Sequence, residues 1–428
     1  MNINVPLLNH RVLRLHAENA AFVAALLRRG LDGPNFGLID LYDLDNRLAG
    51  HLDALTMAGP AGQDLAMQTV AVTAGYGELF TLFHIALRQN PALALAELIP
   101  AGLVTWPEIE AFGAAAAWCA PDQIASRMRA WIGSADPMAI WIALDVCGRR
   151  RIDPRERLAG LLAHPHPQVA ARAMRLAGEL GRADLAPGLA ARAGSEADPD
   201  LRCAAARAAA LLGDRRAAPA ALAGLSAPGT PPATARQVAE LLPLVCDSTT
   251  AKRWIAGLLS SAATDRWGIV ATGALGAADS LDFLIRQMQD PLLARIAGAS
   301  FCRIAGIRLG PLSLELQTFP DDPANAVVEA CPQESFIEGK YYWPDPDKLT
   351  HWLAGNRGRF AADTRNLLGA AAWTLQPPIE SHAPWQLDQR ALALELATRS
   401  AGAPLPNWHG AVVRQDRGFT RLWCSGDI

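Results

Sequence analysis

Along "HPHPQVAARAMRLAGELG", residues 164–181, apolar and polar positions alternate at helical spacing, and the pattern returns in "EADPDLRCAAARAAALLG", residues 196–213. The two stretches share a register 32 residues apart: Pro167 maps to Pro199, Val169 to Leu201, Ala173 to Ala205, Gly181 to Gly213 and Pro187 to Pro219. Proline is tolerated at the first helical position, where its missing N–H would have had no helical partner, and glycine past the last turn takes up the left-handed conformation that closes a helix. Each repeat therefore predicts a proline-started helix, a glycine stop, a short link and a second helix.

The same template predicts further starts at Pro137, at Pro231-Pro232 and at Pro291, which is followed by Ala297 and a stop near Gly306. "RWGIVATGALGAADSLDFL", residues 266–284, carries the helix, glycine and second helix of an intervening unit without the opening proline. A helix pair recurring every 30 or so residues, about six times, predicts an all-α fold of the α-solenoid type, in which each unit buries its apolar face only against its neighbours. Alanine at the repeated sixth position allows close helix approach. The second helices, "LAPGLAARAG" and "RAAPAALAGL", are then expected to line a concave face.

Amphipathic helices are also predicted outside the array. In "LLNHRVLRLHAENAAFVAALLRRG", residues 7–30, the apolar stripe is read as Leu8, Val12, Leu15, Ala20, Val23, Leu26 and Leu27, with a basic last turn and a stop at Gly30. "LIDLYDLDNRLAGHLDALTMAG", residues 38–59, follows the same design and stops at Gly59. Near the C-terminus, Asp345 and Pro346 read as the cap and first residue of a short helix ending near Gly355. A further helix is expected from Pro384 to before Gly402. The pattern divides the chain into an N-terminal helical region (1–130), a repeat array (131–315) and an aromatic-rich, mainly helical C-terminal module (316–428).

Composition sharpens this picture. Hydrophobic residues make up 51% and aromatic residues 6% of the 428, so the apolar content is mostly alanine and leucine, which favour helices. No run of about 18 uncharged apolar residues is present, and the first residues lack a signal-peptide pattern, so a soluble, cytoplasmic protein without membrane contact is expected. Seven cysteines are scattered without a C-x-x-C pair and the nine histidines do not cluster. No disulfide, metal or other cofactor is therefore expected. His164 and His166 read as turn residues, and His16, His51 and His84 as packing or surface residues. No His-Glu dipeptide occurs, which disfavours helical-repeat metal hydroxylases.

The net charge is −3, which makes nucleic acid an improbable partner. The arginine run "GRRRIDPRER", residues 148–157, includes Asp153 and Glu156, and only three lysines occur in the chain. Arginine is the default cation here, and the run reads as a solvated turn. Half of the twelve tryptophans lie after residue 342. Beside them, "NRGRFAADTRNLLG" reads as a loop carrying Arg357, Arg359 and Arg365. Aromatic rings and planar guanidinium groups dominate binding energy at interfaces, so Trp343, Arg357, Arg359 and Arg365 are the candidate partner-binding residues, with no catalytic residue proposed.

"HAENAAFVAALLR", "LYDLDNRLAGHLDAL", the proline-anchored repeats, "WPDPDKLTHWLAGNRGRF" and "RALALELA" together resemble a family of uncharacterised bacterial HEAT-repeat proteins, some of them encoded beside type VI secretion genes. The resemblance covers most of the chain. It implies HEAT-like helix pairs and a partner protein such as a secreted effector or spike component, and it transfers no catalytic residue. Two function classes follow: a protein-interaction scaffold acting as adaptor, chaperone or immunity-like factor, and an enzyme on a helical-repeat frame, glycosylase-like or lyase-like. The scaffold is favoured because no basic groove with gathered carboxylates is legible.

Overall fold

The described residues are mostly helical in a computed structural model that covers residues 9–31, 33–90, 105–106, 108–317, 338–360, 364–376 and 385–407. The chain forms two compact units. The first contains α1 (His10–Gly30), α2 (Leu38–Met57), α3 (Pro60–Val72), α4 (Tyr76–Gln89), α5 (Ile109–Trp118), α6 (Pro121–Ile132), α7 (Pro137–Arg150), α8 (Glu156–Leu161) and most of α9 (Pro167–Glu179). Within it α1, α4, α5 and α7 pack one on the next, with α2 and α3 against α1 and α4 and α6 against α7.

The second unit takes the end of α9, α10 (Ala186–Ser195), α11 (Pro199–Leu211), α12 (Ala217–Ala223), α13 (Pro232–Val245), α14 (Ser248–Leu259), α15 (Asp265–Leu275), α16 (Leu281–Gln287), α17 (Ala294–Ala305), α18 (Pro346–Asn356) and α19 (Gln386–Arg399). Here α11, α13, α15 and α17 follow one another, each packed on the next, while α10, α12, α14 and α16 pack beside them as the second helices. Alanine makes this spacing possible: Ala204, Ala205, Ala206, Ala208, Ala209 and Ala210 are all buried in α11. Ser300 of α17 sits so close to Gly273 of α15 that a Cβ there would lie 2.8 Å from the serine Cβ. The close packing is polar as well as steric, since the Ser300 hydroxyl donates to the Ile269 carbonyl at 3.0 Å.

The predicted starts hold at Pro137, Pro167, Pro199 and Pro232, and Asp136 and Asp198 cap the first and third through backbone N–H groups. The predicted stops at Gly181, Gly213 and Gly306 lie at positive φ, as does Gly276 in the unit without an opening proline. Those four glycines carry a second burden. Each faces the chain's own C-terminal stretch: a Cβ on Gly276 would meet the Asn366 carbonyl oxygen at 2.2 Å and one on Gly306 the Leu368 carbonyl at 2.2 Å, while Gly181 abuts residues 402–404 and Gly213 abuts Ala401. Backbone hydrogen bonds seal the contact, from Asn366 N–H to the Gly276 carbonyl at 2.7 Å and from Leu368 N–H to the Arg303 carbonyl at 2.7 Å.

Several expectations need correction. The last repeat helix begins at Ala294 and not at Pro291, because the Asp290 carboxylate accepts from Leu292 N–H and closes a turn over these residues first. Val12 and Leu15 are exposed. The buried stripe of α1 runs through Leu13, Ala17, Ala20, Ala24 and Leu27, one position out of phase with the predicted one at its start, and Gly30 is the last helical residue and not a stop beyond it. The C-terminal stretch, read as mainly helical, also holds a small hairpin of β1 (Asn366–Leu367) and β2 (Ala370–Ala371). Leu368 and Gly369 both take positive φ there, the geometry of a tight two-residue turn whose twist suits the strands. The helix expected from Pro384 begins at Gln386, with Pro384, Leu8, Trp408, Trp423, Cys331 and Cys424 outside the described residues.

Replacing Gly306 or Gly276 by alanine should cost about 2 kcal/mol or more, combining left-handed strain with loss of the seated hairpin. Gly257→Ala, at an exposed helical position with open space around it, should be neutral or stabilising by about 0.5–1 kcal/mol. Urea denaturation midpoints of the three variants check this, and equal effects at the two kinds of site would refute the docking role.

Candidate functional site

The four residues singled out by sequence separate in the structure. Trp343 is buried at 4% exposure under the Arg295 guanidinium, 4.4 Å from its ring centroid, and its carbonyl accepts from Leu316 N–H at 2.9 Å. Arg365 lies inside the second unit: its Nε donates to the Leu275 carbonyl at 3.0 Å, at the end of α15, and its Nη2 pairs with the buried Glu395 at 2.7 Å. Both therefore brace the fold, Trp343 from a buried position and Arg365 with its side chain partly exposed. Arg357 and Arg359 are exposed. Arg357 pairs with Asp282 of α16 at 2.7 Å, and Arg359 lies over the Trp352 and Phe360 rings at 5.8 and 5.9 Å.

What sequence reading did not find is a group of arginines on the packed helices of the second unit. Arg207 on α11, Arg236 on α13, Arg303 on α17, Arg308 just after it and Arg390 on α19 converge around two buried carboxylates, Glu240 and Asp388. Arg390 Nη2 meets Glu240 at 2.8 Å, Arg236 lies 3.7 Å from it, and Arg308 donates to Asp388. Burial alone would raise the Glu240 carboxyl, yet Arg390, Arg236, Arg303 and Arg207 together hold it below its ordinary value. Asp388 moves the other way, because burial outweighs Arg308 and Arg303. The available signal was arginine set into alanine-rich helices, as in "RCAAARAAALL", where a solvated face would alternate with other polar residues.

Part of this cluster lines a cleft of about 490 Å³. Arg236, Glu240, Arg303, Arg308, Lys340 and Asp388 supply its charge, and Val270, Ile296, Ile307, Leu309, Tyr342 and Trp385 its apolar surface. Arg308 lies 5.0 Å above the Trp385 ring, and Tyr342 is 52% exposed. Among the described residues no three histidine, cysteine, aspartate or glutamate side chains gather as metal ligands.

In the first unit a groove of about 860 Å³ runs along α1, α3 and the start of α4, lined by Arg14, Phe22, Arg28, Arg29, Val72 and Tyr76 among others. Phe22 is 62% and Val72 87% exposed. The groove floor is held by Arg28, which lies 4.5 Å over the Tyr76 ring and pairs with Glu110 of α5. Glu110 also meets Arg149 at 3.4 Å, and Arg149 and Arg172 clasp the buried Asp145 at 2.6 and 3.3 Å. Arg149 and Arg150 of the run at 148–157 are thus turned inward, Arg150 donating to the Ala117 and Cys119 carbonyls, and are not a solvated turn. His16 and His51 meet at 2.9 Å between their Nδ1 atoms, and partial burial, then the neighbouring His16 and Arg47, lowers the His51 pKa. No protein-family model matches the chain, and no curated protein matches it.

Glu240→Gln should lower stability by about 3–5 kcal/mol, since it leaves desolvated guanidinium groups uncompensated. Because Glu240 is held below its ordinary value, its contribution is complete above about pH 4.5 and is lost as the pH falls through the folded value. The deficit of the variant should accordingly shrink in acid, as denaturation midpoints measured at pH 7 and pH 3 will show.

Proposed function

We propose that the protein is an interaction scaffold of the α-solenoid type that holds a segment of another protein in the groove along α1 and α3. One observation carries this reading. Of the eleven large hydrophobic side chains that stand exposed among the described residues, seven (Val12, Leu15, Phe22, Ile39, Tyr42, Met57 and Val72) fall between residues 12 and 72. Scattered exposed apolar residues need no explanation, but their concentration on three neighbouring helices, with Phe22 and Val72 lining one groove, marks a surface that gains by being covered. Arg14, Arg28 and Arg29 line the same groove. An amphipathic helix with acidic residues beside its apolar face supplies the matching chemistry.

The repeated helix pairs support the solenoid reading, because α11, α13, α15 and α17 succeed one another with their partners alongside. Such surfaces bind extended chains by shape and need no reactive group. The resemblance to HEAT-repeat proteins encoded near type VI secretion genes points to a secreted effector or spike component as partner, with this chain as adaptor, chaperone or immunity-like factor in the cytoplasm. Arg357 and Arg359, both exposed, offer a second contact point on the same reading. Trp343 and Arg365 serve it only by holding the second unit together.

A photocrosslinking residue at position 22 should yield one dominant protein adduct in the native host. Val72→Asp should suppress that adduct at least fivefold, about 1 kcal/mol, without changing the thermal midpoint. Undiminished crosslinking in a folded Val72→Asp protein would place the partner surface elsewhere, and Arg359→Ala, read in the same assay, reports whether the C-terminal arginines contribute.

A further inference from the structure

A guanidinium group keeps its proton at all ordinary pH values, so an arginine withdrawn from water must find negative charge or pay for its absence. Around the cleft of the second unit, Arg207, Arg236, Arg303, Arg308, Arg365 and Arg390 gather with Glu179, Glu240, Asp388 and Glu395. Six cations face four carboxylates. Four of the six are engaged at close range: Arg236 and Arg390 with Glu240, Arg308 with Asp388 and Arg365 with Glu395. Arg303 is not. Its Nε is sealed from solvent without an acceptor, and its guanidinium makes no hydrogen bond or close ion pair with any described residue. Burial lowers its pKa, and Glu240, Asp388 and Glu395 offset this only in part.

Arg303 lines the cleft together with Arg236, Arg308 and Lys340. The opposite character is present in the same cavity: the Trp385 ring, the half-exposed Tyr342 ring and the side chains of Val270, Ile296, Ile307 and Leu309. We propose that this cleft binds a small organic anion, its carboxylate or phosphate group received by Arg303 with Arg308 and its flat apolar body lying against Tyr342 and Trp385. The bound anion supplies the charge that the fold withholds from Arg303, and planar guanidinium groups suit both carboxylate and phosphate. The volume of about 490 Å³ accommodates a molecule the size of a substituted aromatic acid or a nucleoside monophosphate. This site is separate from the groove along α1 and α3 and stands whether or not that groove takes a partner.

Calorimetric titration of the full chain in low-salt buffer tests the proposal, with phenyl phosphate, benzoate, inorganic phosphate and the cation benzamidine as probes. Phenyl phosphate or benzoate should bind and benzamidine should not, and the stronger of the two anions identifies phosphate or carboxylate as the native head group. Arg303→Met should weaken binding at least tenfold while leaving the ligand-free thermal midpoint at or above that of the wild type, because it removes a desolvated charge. Tyr342→Ala, at a half-exposed position, should weaken binding severalfold with an unchanged midpoint, which keeps the test decisive should the first variant fold poorly. Absence of binding by every anion would overturn the proposal, as would a Tyr342→Ala protein that binds as well as the wild type. Equal binding of inorganic phosphate and phenyl phosphate would overturn its apolar half.

Discussion

A helix must end, and in this protein the way it ends is what the second unit is built on. Glycine in the left-handed conformation closes α9, α11, α15 and α17, satisfying carbonyls that the last turn would otherwise leave without partners. The absence of a Cβ at those points also leaves bare backbone on the surface. The chain's own residues 366–369 and 401–404 lie against that backbone, at separations no side chain would permit. One local requirement thus becomes a tertiary one, and the hairpin, α19 and the residues after it are positioned by the stops of the repeats.

That placement decides the chemistry of the second unit. With α19 packed on α11 and α13, Asp388, Arg390 and Glu395 are carried onto the helices that already hold Arg207, Arg236 and Glu240. Removing so many charges from water is expensive, and the expense is recovered only where each has a partner. The pairs that form are Arg390 with Glu240, Arg308 with Asp388 and Arg365 with Glu395. The remaining positive charge borders a cleft with aromatic walls, so the same packing that steadies the fold also produces a cavity of defined electrostatic sign.

The first unit solves a similar problem differently. Its ion pairs run from Arg28 through Glu110 and Arg149 to Asp145 and Arg172, linking α1, α5, α7 and α9 around a largely alanine and leucine core. Every carboxylate in that chain has more than one guanidinium, and burial pushes the nearby Tyr76 phenol up to about 12, keeping it neutral. Outside that network the groove combines the exposed Phe22 and Val72 with Arg14 and Arg29. The two units consequently present different kinds of surface, one groove with apolar and charged edges and one cationic cleft with aromatic walls.

Proline and glycine positions in the sequence determined the helical class and the starts and stops at Pro137, Pro167, Pro199, Gly181, Gly213 and Gly306, because backbone conformation at those residues is a local property. The caps at Asp136, Asp198 and Asp345 were legible for the same reason. The sequence could not assign Arg303 or Arg207 to a buried cluster, nor Trp343 and Arg365 to internal bracing, because an arginine or tryptophan in a helix or loop reads identically whether it meets water or another chain segment. Its partners lie tens to hundreds of residues away, Arg365 at Leu275 and Glu395, Arg303 among groups from two other helices and a loop. Only packing brings them within a few ångströms, and electrostatic energy depends on that distance and on the exclusion of water, neither of which is written in the order of residues.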